Sequence, residues 1–213
     1  MRRIICLANS YKHNERCIAG IDIESGAWVR PVSNRKDRAI AGTMRLINGK
    51  EPQLLDILEI PLENHGPDEG CQPENRLLKL GQWKIVGRIK PAKLLEYCED
   101  DSVILHNHKD RVSPDFFGST PKEKWKSLQL IHTPNVEFRH VFFNRRKWRS
   151  HFQDGKGNSL ALKVTDPIIL SRLNLDQEIG KDCILTVSLA TPWRPNTITP
   201  ERCYKLIVGV VEL

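Results

Sequence analysis

The chain has 213 residues, 39% of them hydrophobic and 28% charged, the make-up of an ordinary soluble globular protein large enough to bury one core or two. Lys and Arg exceed Asp and Glu by 33 to 26, a net charge of +7 that favours polyanionic partners. No run approaches the roughly 18 consecutive apolar residues of a membrane span, and in MRRIICLANS the apolar run Ile4 to Ala8 is too short for a signal-peptide core, so neither a membrane partner nor secretion is expected. The six cysteines (Cys6, Cys17, Cys71, Cys98, Cys183, Cys203) form no CxxC pair and read as reduced thiols of a cytoplasmic protein.

In chain order, Ile4 to Asn9 reads as a strand and Ser10 to Glu15 as a polar loop. Arg16 to Ile23 is a second strand, Glu24-Ser25-Gly26 a turn, and Ala27 to Val32 a third strand, with Pro31 arguing for a sheet edge or a bend. Residues 33 to 50 are basic and irregular, with Arg35, Lys36, Arg38, Arg45 and Lys50 against the single Asp37. Leu54 to Leu62 and Trp83 to Lys90 are further strands, separated by a Pro- and Gly-bearing loop. Pro91 suits a helix start with Leu94, Leu95 and Cys98 on one face. Thr120-Pro121-Lys122-Glu123 is a capping box predicting a helix that carries Trp125 and Leu128 inward, after a turn-rich stretch from Ser113 to Ser119.

The last third is the clearest. Strands are expected over Val136 to Phe143, Lys147 to Gln153 and Ser159 to Thr165, with Asp154 to Asn158 as a hairpin tip. Asp166-Pro167 caps a short helix through Leu173, and strands follow at Cys183 to Leu189 and Tyr204 to Leu213. Three strands, a helix and two strands is the order of an OB-fold, a five-stranded, partly open barrel. The first third follows the same plan less cleanly, with residues 33 to 50 where the helix belongs. The expected fold is therefore mainly β: an OB-like barrel over 1–90, a partly helical connector over 91–135, and a second OB-like barrel over 136–213.

Particular residues carry a family resemblance: Ile5 to Ser10 (ICLANS), Arg16 to Gly20 (RCIAG), Trp28 to Ser33 (WVRPVS), Val187-Ser188-Leu189 and Cys203 to Gly209 (CYKLIVG). On these the chain resembles the bacterial and archaeal proteins with a dual OB-containing domain. The resemblance implies a pair of OB barrels and nucleic-acid binding. It supplies no catalytic residues.

OB barrels bind oligonucleotides across strands 2 and 3, framed by the loops joining strands 1–2 and 4–5. In the second barrel these loops hold Arg145 and Arg146 on one side and Trp193 and Arg194, between prolines, on the other. Strand alternation puts Lys147, Arg149 and His151 on one face and Trp148, Ser150 and Phe152 on the other. Trp148 and Phe152 are assigned to the core and the cations to the outer face. Trp193 is then the stacking candidate, unless it caps a core. In the first barrel the equivalent loop offers Tyr11, Lys12 and His13, with Arg30, Arg35, Lys36 and Arg38 adding charge, or forming only a solvated surface.

The histidines of His106-Asn107-His108, and His65 near Cys71, match no paired zinc-ligand spacing, so no metal is expected. There is no GxxxxGK[ST] loop and no GxSxG elbow, and no cofactor is expected. Catalysis is unsupported, although a site assembled from distant residues leaves no local motif. The function read from the sequence is a non-catalytic nucleic-acid-binding module for single-stranded DNA or RNA, with genome defence as a setting. The alternatives are an adaptor for an acidic protein partner and an enzyme with a dispersed site.

Overall fold

The computed structural model of the chain describes residues 1–12, 15–143 and 145–213, but not the side chains of Lys12, Phe142, Phe143, Arg145 and Arg146. Contacts divide it into two compact units, Met1–Pro67 with Glu74–Leu94, and Asp68–Pro73 with Leu95–Leu213. Each has its own core. Ile4, Cys6, Ile18, Leu58, Ile60 and Trp83 pack together in the first, and Phe117, Phe152, Leu160, Leu162, Leu185 and Ile207 in the second. Among the described residues no helix is long and apolar enough to cross a membrane.

The first unit contains β1 (Arg2–Lys12), β2 (Glu15–Asp22), β3 (Trp28–Val32), the single-turn helix α1 (Gly42–Arg45), β4 (Asp56–Ile60), β5 (Asn75–Leu77) and β6 (Lys84–Arg88). Their sheet runs β5-β3-β2-β1-β4-β6. Alternation in β4 (Asp56, Leu58 and Ile60 buried, Ile57 and Glu59 only partly) is what a sheet with one face on a core requires. Close approach of β1 and β2 explains Gly20, where a Cβ would lie 2.0 Å from the Ile5 carbonyl oxygen. Ser10, Tyr11 and Lys12 belong to β1 and not to a loop. Pro31 is not at a sheet edge: β3 has β2 on one side and β5 on the other. Its ladder to β2 ends at Val29, so the missing N–H of Pro31 breaks no bond there.

The second unit contains β7 (Arg111–Val112), helix α2 (Pro114–Ser119), β8 (Leu128–Thr133), β9 (Glu137–Phe143), β10 (Arg145–Gln153), β11 (Ser159–Val164), helix α3 (Pro167–Asn174), β12 (Cys183–Leu189) and β13 (Cys203–Glu212). The sheet runs β8-β12-β13-β11-β10-β9, with β7 paired to β13. The two units share one pairing plan. In each, three consecutive strands are antiparallel neighbours (β1-β2-β3 and β9-β10-β11), and the last strand of the plan adds parallel to the third (β5 on β3, β13 on β11).

Neither sheet is the five-stranded, partly open barrel expected: they have six and seven strands, and neither closes into a barrel. In the first, the return from β4 to β5 is a single bridge, Leu62 to Leu78, and β6 adds an extra edge beside β4. In the second, β8 and β9 end the path although consecutive in sequence, because a turn at Pro134-Asn135 divides what would be one strand. The first part pairs with β12 and the second with β10.

The Thr120 capping box opens no α-helix. Lys122–Lys124 is one 3-10 turn, and the helix lies earlier, at Pro114–Ser119. The Trp125 indole N–H bonds the Thr120 carbonyl at 2.9 Å, and Leu128 already begins β8. Trp125 packs on the core and Leu128 is buried, so both still face inward. Pro91–Tyr97 is also 3-10, which buries Leu94 but leaves Leu95 exposed. The Asp166 cap forms as expected. Its carboxylate accepts from the Ile168 and Ile169 N–H groups and also from Val210, tying α3 to β13.

The hairpin tip is held by one buried carboxylate. Asp154 accepts from the backbone N–H groups of Lys156 and Asn158, from the Asn158 amide, and from His108 Nδ1 at 2.7 Å. Burial alone would raise its pKa, but the His108 and Asn158 hydrogen bonds outweigh it and hold the carboxyl at about 2. That is below the unfolded value of about 3.9. The stabilisation is therefore complete above about pH 4 and is lost as pH falls through about 2. The stability of the second unit, followed by unfolding midpoint, should fall across that window. In Asp154→Asn this component should be absent, and an unchanged pH slope would contradict the assignment.

Candidate nucleic-acid interface

Along β10, Ser150 and Phe152 are buried. Trp148 packs against the core with its indole N–H on Asn174 Oδ1 at 2.9 Å. Lys147 and Arg149 occupy the opposite face. Antiparallel register sets Arg149 directly across from Lys163 of β11, and the Arg149 guanidinium reaches the Ala161 carbonyl at 2.7 Å. Opposed residues on one face are close neighbours, so three cations share a small area. The Lys163 ammonium is held below its ordinary pKa, first by desolvation and then by the charges of Lys147 and Arg149. An anion placed there would offset the repulsion among the three cations.

The β12–β13 loop supplies the opposite wall. Trp193 forms a bridge with Arg202 through two backbone bonds, Trp193 N–H to the Arg202 carbonyl at 3.1 Å and the reverse at 2.9 Å. This anchors the backbone while leaving the residue 55% exposed. Its ring lies 6.0 Å from that of Tyr204, tilted by 64°, so an open ring surface remains. Lys147, Arg149, Lys163, Trp193 and Tyr204 thus line one cleft of about 340 Å³, with Lys205 in its wall and Asp110 as its one acid.

Lys205 differs from the other cations. It is 2% exposed, and its ammonium donates to the carbonyl oxygens of Ile104 and Asn107, each at 2.6 Å, and to Asn107 Oδ1 at 3.1 Å. Burial draws its pKa down to about 8, against the pull of Asp110 and Asp154. All three of its donors have acceptors, so it fastens the 104–107 loop to β13 and has no hydrogen left for a ligand.

Among the described side chains, the remaining sequence candidates do not join this cleft. Arg194 is exposed, 4.0 Å from Glu201. Arg145 and Arg146 continue β10 in register with Phe143 and Phe142, not in a loop, and their side chains lie outside the described residues. In the first unit, Arg30 is buried and bound to Glu74 at 2.8 Å. Arg35 lies 3.2 Å from Asp37 and 3.7 Å from Glu15. Tyr11 is exposed, but the Arg16 guanidinium covers its ring at 4.3 Å. Lys36 is exposed and Arg38 half-buried with φ of 61°. The Lys12 side chain and all of His13 fall outside the described residues. Much of the basic stretch 33 to 50 is thereby neutralised at home: Arg45, 7% exposed, binds Glu51 and Glu15 at 2.8 and 2.7 Å.

His106 and His108 serve separate contacts. His106 packs on Phe116 at 4.6 Å and bonds the Lys126 carbonyl, while His108 holds Asp154. Among the described residues no three His, Cys, Asp or Glu side chains gather as a metal would need. Sequence reasoning missed Lys163, Tyr204, Lys205 and Asp110. With Leu160, Leu162 and Val164 on one face of β11, alternation leaves Lys163 on the other, but its place opposite Arg149 follows only from the register. Nothing local marked the other three.

A family model for the dual OB-containing domain matches residues 2–210, nearly the whole chain. The chain belongs to the dual OB-containing domain family. The cleft of this dual OB-containing protein lies on β10 and β11, beside the β12–β13 loop, which in the plan β9 to β13 are the second and third strands and the loop between the fourth and fifth, the face by which OB-folds take oligonucleotides. Comparison with curated proteins gives no match.

Proposed function

We propose that the chain is a non-catalytic binding module for single-stranded nucleic acid, DNA or RNA, held in the cleft of the second unit. The observation that carries this reading is the convergence of Lys147, Arg149 and Lys163 with an exposed Trp193 from a loop some forty residues away. Cations neutralise phosphates, and an exposed indole stacks on an unpaired base whatever its identity. A duplex hides its base faces, so Trp193 favours single strands. Arg145 and Arg146, which precede Lys147 in the sequence, and Arg194, which follows Trp193, are proposed as further phosphate contacts outside the cleft itself.

Fluorescence anisotropy of labelled single-stranded DNA, single-stranded RNA and duplex, titrated with the full chain at low salt, tests it. Single strands should bind more tightly than duplex. With three phosphate contacts, log K should fall against log salt with a slope of about −2, at about 0.7 per contact. Failure of every probe to bind at low salt overturns the reading.

A further inference from the structure

A second basic cleft, of about 380 Å³, adjoins the first. Lys109, Arg111 and Arg202 line it together with Phe116 and Ser113. The two clefts meet along backbone pairs. Tyr204, in the first, stands opposite Arg111, in the second, and Trp193, in the first, is bridged to Arg202, in the second. Opposed residues in such pairs have Cα atoms about 4.5–5.5 Å apart. Each ring of the first cleft therefore has a cation of the second as its immediate neighbour.

These cations are weakly committed. Lys109 makes no ion pair among the described residues. Arg111 reaches Asp110 at 3.2 Å, but both side chains are well exposed, and exposed pairs contribute little. Among the described residues, the Arg202 guanidinium donates to the backbone carbonyl of Glu201, whose carboxylate lies 4.0 Å from Arg194. The ring of Phe116 already packs at a tilt on His106 and edge-on against Phe117, which leaves the cleft better suited to phosphates than to a base.

Resting on the function proposed above, the geometry points to a continuous track. A single strand lays one base on Trp193 and passes over the Tyr204–Arg111 and Trp193–Arg202 pairs. Its following phosphates then enter a second site formed by Lys109, Arg111 and Arg202. The ligand of this second site is the phosphodiester backbone, with no preference for base.

The test compares thymidine oligomers of about 4 and about 12 nucleotides, lengths within the range covered by one OB-fold. They are titrated into the wild-type chain and a Lys109→Gln, Arg111→Gln, Arg202→Gln variant. The variant should bind the short probe as wild type does, which also shows that its second unit is folded. Its salt slope for the long probe should be shallower by about 2, the share of three contacts. The wild type's gain from short to long probe should disappear. If the variant keeps that gain, or loses the short probe as well, the second site is wrong while the first stands. If the wild type binds neither probe, the proposed function fails and the second site with it.

Discussion

Replacing Lys205 with methionine should destabilise the second unit by about 1–3 kcal/mol for each buried carbonyl that it leaves without a donor. The methionine fills much of the same volume, so packing alone does not account for the loss. What it cannot do is donate. The carbonyls of Ile104 and Asn107, bound to the ammonium at 2.6 Å, lose that donor at once, while Asn107 Oδ1 keeps the Lys109 N–H at 2.9 Å. Because the chain has two units, the loss is best read from hydrogen exchange of β13 amides, with protection of β1 amides as the internal reference. Equal protection of β13 in wild type and variant would show that the ammonium contributes nothing. The loop it fastens leads directly to Lys109, Asp110 and Arg111, so the same variant should also loosen both proposed binding clefts.

Trp193→Ala and Lys147→Gln with Arg149→Gln should weaken single-strand binding in distinguishable ways. Loss of one stacked base costs about 1–3 kcal/mol, some 5- to 150-fold in affinity, and leaves the salt slope unchanged because no phosphate contact is removed. Loss of two cations reduces the slope by about 1.4 and weakens binding most at low salt. Trp193 is 55% exposed and Lys147 is exposed, while Arg149 is half-buried and gives up its bond to the Ala161 carbonyl, so the unfolding midpoint of the double variant is measured beside its affinity. Affinity unaffected by Trp193→Ala would remove the indole from the site. A slope unaffected by the double variant would place the phosphates elsewhere.

Elements held by short-range patterns were legible before any coordinates. Ser159 to Thr165 alternates apolar and polar residues, and β11 follows it. Asp166-Pro167 pairs an acceptor with a residue that needs no donor, and α3 begins there. The capping box at Thr120 has equally good local chemistry, yet no α-helix follows. The next residues are needed as β8, where Leu128 to Thr133 pairs with β12 fifty to sixty residues away. A cap can start a helix only if the chain beyond it is free to continue one.

The site divides along the same line. Alternation alone sorted β10 into a face of Ser150 and Phe152 and a face of Lys147 and Arg149, because side chains in a strand must point to opposite sides. Composition likewise set the excess of positive charge. Whether a given cation is available depends on partners that composition does not reveal. Arg30 and Arg149 read alike as arginines on strands, but Glu74, forty-four residues on, buries the first, whereas β11 sets Lys163 beside the second. The meeting of Trp193 with Lys147 and Arg149 was expected from strand order, since it needs only the right topology. The inclusion of Lys163 and Tyr204, and the diversion of Lys205 to three carbonyl oxygens, required the register of each pair. One residue of slip would turn every one of those side chains to the other face.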